Sequence, residues 1–124
     1  MSEQKIIDIM HEWLSAFSDD TSQSICSLYD EHASLWGTLS PIKRNSTVLI
    51  RDYFEQIFSY SNRTAELVDS NIRVFGDVAI CNGVYRLNWL NEGLKVAKIA
   101  RFSFVYINKN ERWFIIEHHS SLMP

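Results

Sequence analysis

Apolar residues return every three or four positions in the first half of the chain and tend to alternate in the second half. Between residues 6 and 17 they fall at Ile6, Ile7, Ile9, Met10, Trp13, Leu14 and Phe17, with Asp8, His11, Glu12 and Ser15 on the polar side. That spacing predicts an amphipathic helix, stopped by the turn-forming stretch SDDTSQS. A short second helix is expected over 22–28, then a short strand at ASLWG that leads into the loop TLSPIKRNS. Within the loop, Pro41 blocks regular pairing and biases Ser40 toward extended backbone. Ser46 is placed to cap a third helix over 47–60, where Val48, Ile50, Tyr53, Phe54, Ile57 and Phe58 keep helical spacing.

The later segments 67–75, 78–90, 94–108 and 112–120 are rich in Val, Ile, Phe, Tyr and Trp. Turn signals part them at Gly76-Asp77, at Asn91 to Gly93 and at Asn108 to Glu111. The pattern predicts an antiparallel meander of long strands. Helices first and a sheet second give the α+β class, as a curved antiparallel sheet wrapped around N-terminal helices. Such a sheet encloses a cone, and the open end of a cone is a natural ligand site. On the third of these strands' predecessors, Tyr85, Leu87 and Trp89 share one face, which is either core or an interface with another subunit.

Length and composition narrow the picture. The 124 residues suit one domain over 1–124, with no linker, repeat or low-complexity tract. Net charge is -3 and no run of Lys or Arg exceeds two, which argues against a nucleic-acid surface. No apolar segment reaches membrane-span length, and the acidic, amphipathic start MSEQKIIDIMHEW is unlike a signal peptide. A cytoplasmic setting is expected, with Cys26 and Cys81 as reduced thiols serving as small core residues. In that setting the sequons at Asn45 and Asn62 carry no weight.

The chemistry gathers at the last segment, RWFIIEHHSSLMP. Strict alternation puts Trp113, Ile115, Glu117, His119 and Ser121 on one face, and Phe114, Ile116, His118 and Ser120 on the other. One histidine and one serine fall on each face, so only one such pair can line a given cavity. On the preceding strand, Arg101 and Ser103 share a face opposite Phe102, Phe104 and Tyr106. If Arg101 points inward it needs an anion or a carboxylate, because an unpaired buried charge is costly. The plain alternatives are a solvated strand end for HHSS and a surface arginine for Arg101. Neighbouring histidines on opposite faces do not chelate together. His11 and His32 are not in ligand spacing with them, and HExxH and CxxC motifs are absent, so no metal ligands or other cofactor are assigned. No G-x-S-x-G elbow accompanies Ser121, so acyl transfer is disfavoured.

These residues resemble a known family. RFSFVY at 101–106, the ending W-x-I-x-x-HHSS-x-MP from Trp113 to Pro124, the TLS loop at 38–40 and the helix IRDYFEQIF are similar to the calcium/calmodulin-dependent protein kinase association-domain family. That family has the nuclear-transport-factor-like cone fold, shared with SnoaL-like proteins. The likeness is closer to its stand-alone bacterial members, which include the iota-class carbonic anhydrases. The resemblance implies a lyase hydrating carbon dioxide to bicarbonate, with or without metal. It implies catalytic roles for Thr38, Tyr53, His119 and Ser121, and anion binding by Arg101, Ser103, Thr38 and Ser121. The departure is Trp36-Gly37, where the family's pattern has LLPT; this reshapes the mouth of the pocket.

Two other readings stand beside this one. The family includes assembly domains, and a curved sheet face rich in Trp and Tyr suits a homodimer. The SnoaL-like relatives include isomerases and dehydratases that place a carboxylate base inside the cone, for which Glu117 is the candidate.

Overall fold

The computed structural model describes residues 2–124. Helix α1 (Ser2–Ala16) is followed by the single turn α2 (Gln23–Cys26), strand β1 (Tyr29–Trp36) and helix α3 (Thr47–Ile57). Four strands complete the chain: β2 (Ser61–Phe75), β3 (Val78–Asn91), β4 (Leu94–Lys109) and β5 (Arg112–Leu122). They form one sheet in the order β1-β5-β4-β3-β2. This is the α+β curved sheet with N-terminal helices that the hydrophobic pattern predicts.

Each element has a local cause. Ser46 caps α3, its hydroxyl accepting from the Leu49 N–H at 3.2 Å. The β3–β4 and β4–β5 hairpins close through Glu92-Gly93 and Asn110-Glu111, all with positive φ, the backbone that matches the twist of two-residue hairpins. Strand β2 begins six residues before its expected start, because the expectation followed apolar runs and this part of the strand is polar. Asn62 and Thr64 are exposed, and only Arg63 and Ala65 are half-buried. The Arg63 guanidinium donates to the carbonyls of Phe17 and Asp19 beyond α1, and of Phe58 and Tyr60 beyond α3. One side chain on β2 thereby satisfies the loose C-terminal carbonyls of two helices.

The sheet also departs from a pure meander. β1 pairs with β5, and it does so in parallel. Helix α3 and the three strands β2, β3 and β4 separate the two in sequence, and no local pattern marks such a long-range partner.

The inner face carries Tyr85, Leu87 and Trp89 of β3, Phe102, Phe104 and Tyr106 of β4, and Trp113 and Ile115 of β5, all buried. The Tyr85 row is therefore core. Trp13 of α1 lies against this face, stacked on Tyr85 with ring centroids 5.2 Å apart. Full burial of side chains of this size stabilises by about 2–3 kcal/mol each, and this layer holds the helices to the sheet. Cys81 is buried in the core, Cys26 is half-buried, and both are free thiols.

Candidate functional site

Strict alternation fails in β5 at a single residue. Val105 of β4 faces Glu117, but the next residue, Tyr106, faces Ile115. Ile116 is therefore an extra residue, a bulge that leaves two residues opposite one. The phase of the strand reverses beyond it. Trp113 and Ile115 point inward, and after the bulge so do His118 and Ser120, which are 2% and 5% exposed.

This corrects the assignment of the site. His119 is exposed and sits opposite Ser103 on the outer face. Ser121, half-buried, sits opposite Arg101. Arg101 and Ser103 are themselves exposed. These four residues do lie together, but outside the cone, where Arg101 needs no buried partner. Glu117, the proposed carboxylate base, pairs with outward-facing Val105 and also lies on the outer face. Thr38 and Tyr53 lie on the inner side, where Thr38 meets Ser120 and Tyr53 meets Thr38.

The inner cluster builds up from α1. Trp13 Nε1–H donates to the Tyr29 hydroxyl at 3.1 Å. Tyr29 lies 2.7 Å from Nδ1 of His118, and Tyr85 lies 3.2 Å from its Nε2. The imidazole stacks on Phe104, centroids 4.0 Å apart. The hydroxyls of Ser120 and Thr38 stand beside the Tyr85 hydroxyl and hydrogen-bond to each other. Thr38 stands two residues beyond the end of β1, whose parallel pairing with β5 brings the two together. Tyr53 of α3 accepts the Leu39 N–H at 3.3 Å. Gly37 is what allows this: a Cβ there would stand 2.2 Å from the Tyr53 ring. The departure from the family's pattern at Trp36-Gly37 thus seats Tyr53 against the loop.

Electrostatics keeps the cluster neutral. Burial, and next the neighbouring His119, push His118 down to about 3. Burial pushes Tyr53 up to about 12, and lifts Tyr29 and Tyr85 further from ionisation. The nearby cation is Arg44, a residue that motif reading did not single out. It is 6% exposed, donates to Ser40 Oγ and to the Leu49 carbonyl, and lies 5.8 Å from the centre of the Tyr53 ring. Among the described residues no carboxylate pairs with it. Only its place in the TLSPIKRNS loop, next to Thr38 and Ser40, could have drawn attention to it. No three His, Cys, Asp or Glu side chains among the described residues gather as metal ligands. An open surface cleft of about 850 Å³ lies elsewhere, against Asp8, Glu12, Asp19 and Arg112. Its volume does not make it the site, because it lacks the converging, buried polar groups of the cone.

Comparison with known proteins adds to this geometry. The family model of the calcium/calmodulin dependent protein kinase II association domain matches residues 2–124. A Xanthomonas campestris structure described as a candidate for the same association domain superposes with a TM-score of 0.91 at 29% identity, covering 97% of this chain and 86% of that one. The CamKII hub homology domain of a Chlamydomonas alga superposes at 0.80 with 14% identity, covering 100% and 99%. An NTF2-like protein from Streptomyces avermitilis, described as a candidate dehydratase, superposes at 0.87 with 15% identity, covering 99% and 96%. At those identities the last two show the fold alone. No curated protein matches the sequence.

Proposed function

Because the chain belongs to the calcium/calmodulin dependent protein kinase II association-domain family, we propose that it is first a self-associating module, using the outer sheet face as a homodimer interface. One observation carries this reading. Val78, Ile107 and Phe114 lie side by side across β3, β4 and β5, with Ile80 and Val105 forming the next row. All five are partly or largely exposed on a single chain. An apolar row spanning three strands, with a second row across two of them, is what a second copy of the chain would cover. Light scattering after size exclusion tests it: the wild type should run as a dimer or larger assembly, and Ile107→Asp should run as a monomer with unchanged circular dichroism. A wild type that is monomeric at tens of micromolar concentration sinks the reading.

A second reading is supported by the polar chain inside the cone that links His118 through Tyr85 to Ser120, Thr38 and Tyr53. The reaction implied by the family resemblance is reversible carbon dioxide hydration, and it is demanding. Ionising water of pKa ~15.7 at pH 7 costs about 12 kcal/mol. His118 near 3 is too weak a base to supply much of that, so in this reading it orients its neighbours. Thr38, Ser120 and Arg44 would hold the forming bicarbonate. Stopped-flow hydration, with and without chelator, checks this: Ser120→Ala should lose the activity and His119→Ala should keep it. A wild-type rate no higher than buffer, with the protein folded and metal supplied, removes the enzymatic reading and leaves the association module.

A further inference from the structure

Trp13 is donor-only: its indole N–H can give a hydrogen bond and cannot accept one. That single fact sets a direction on everything it touches. The Tyr29 oxygen accepts from Trp13 at 3.1 Å, so the Tyr29 proton is free for its other buried neighbour, His118 Nδ1 at 2.7 Å. Were Nδ1 protonated instead, the Tyr29 proton would have no acceptor among the described residues, and a buried unsatisfied hydroxyl costs about 1–3 kcal/mol. Nδ1 is therefore the acceptor. A neutral imidazole carries one proton, so it sits on Nε2 and is donated to Tyr85 at 3.2 Å. The Tyr85 proton then turns away from His118, toward the Ser120 and Thr38 hydroxyls beside it.

The chain of donors ends at a surplus. Thr38 and Ser120 hydrogen-bond to each other, and a hydroxyl pair shares only one of its two protons. The Tyr53 hydroxyl, which also meets the Thr38 side chain and already accepts from the Leu39 N–H, can take the other, so the unspent proton of these three hydroxyls needs an acceptor from outside them. The Arg44 cation, lacking a carboxylate partner among the described residues, adds positive charge near the Tyr53 ring.

We infer that Trp13 is a positioning residue: through Tyr29 it fixes His118 as the Nε2–H tautomer, and so makes the Thr38–Ser120 end of the cone a donor site that takes a small anion or other hydrogen-bond acceptor and rejects cations. The ligand half of this inference rests on the second reading above; the tautomer half does not.

The test is nitrogen-15 NMR of the histidine rings in the labelled full chain at neutral pH. For His118 in the wild type, Nδ1 should resonate as an unprotonated ring nitrogen and Nε2 should show one-bond coupling to a proton. Trp13→Phe keeps an aromatic ring against Tyr85 but removes the donor, and should convert the signal to a mixture of tautomers. Tyr29→Phe leaves Trp13 in place and removes the donor to Nδ1, so it should give the same mixture if Trp13→Phe does not fold. An Nδ1–H tautomer in the wild type, or a tautomer indifferent to whichever of these variants folds, overturns the assignment of Trp13. Formate and methylammonium serve as ligand probes. Formate should shift the Thr38 and Ser120 resonances, several-fold more weakly in Trp13→Phe, and methylammonium should not. Shifts with methylammonium and none with formate overturn the stated polarity. With neither probe binding and the tautomer as stated, the positioning role of Trp13 stands and the pocket reading falls.

Discussion

His118 shows how a single residue carries both the site's chemistry and a pH dependence. Its folded-state value, about 3, lies below the ordinary 6.5. The unfolded chain therefore takes up a proton in a range where the folded chain does not. Stability rises with pH through this window, is complete above pH 6.5, and is lost progressively as pH falls toward 3. At ~1.36 kcal/mol per unit the full effect is of order 5 kcal/mol, and partial opening of the core would reduce it. Urea unfolding midpoints between pH 7 and pH 4 check this: wild type should lose several kcal/mol more than His118→Phe. Equal slopes would mean that His118 is protonated in the folded state. In the sequence, the pair HHSS was conspicuous, but the inward face was not legible. That choice turns on the extra residue Ile116, and an isoleucine in a strand looks the same whether it is bulged or paired.

At the scale of elements, the hairpins show how much of the backbone was legible and where it is strained. All three turn signals read from the sequence fall at hairpins. The β4–β5 turn nevertheless places a glutamate, Glu111, at φ 67, in the left-handed region where a Cβ is unfavourable. Glu111→Gly should relieve roughly 1 kcal/mol, offset in part by the greater freedom of glycine in the unfolded chain. A rise of a few degrees in Tm by calorimetry is the expected result, and a fall would show that the Glu111 side chain makes a stabilising contact larger than the strain. The beginning of β2 was illegible for a different reason. Arg63 is held there by helix carbonyls, and burial alternates along the stretch, but with an arginine on the half-buried side the sequence lacks the apolar alternation that marks a strand. The parallel pairing of β1 was illegible because it is not local at all.

For the whole molecule, the family and the cone were readable from motifs spread along the chain, while the division of polar residues between inside and outside was not. Arg101, Ser103, His119 and Ser121 belong to the outer sheet, near the apolar rows assigned to self-association. Burial of that face in a dimer would couple stability to concentration. Tm measured over a hundredfold dilution should fall as protein is diluted, and it should be invariant for Ile107→Asp. An invariant wild-type Tm would point to a chain whose stability owes nothing to a partner.

The placement of β1 beside β5 has a further consequence, in time rather than in space. Thr38 and Ser120 are 82 positions apart, and Tyr29 and His118 are 89 apart. Loops of that length are expensive to close early, so contacts across them tend to form late in folding. The hairpins β2–β3, β3–β4 and β4–β5 can each zip from a two-residue turn, whereas the polar cluster must wait for β1 to find β5. The His118 ring signal is therefore a clock as well as a site marker. In a refolding experiment it should appear with the slowest phase, after the hairpin amides are already protected from exchange.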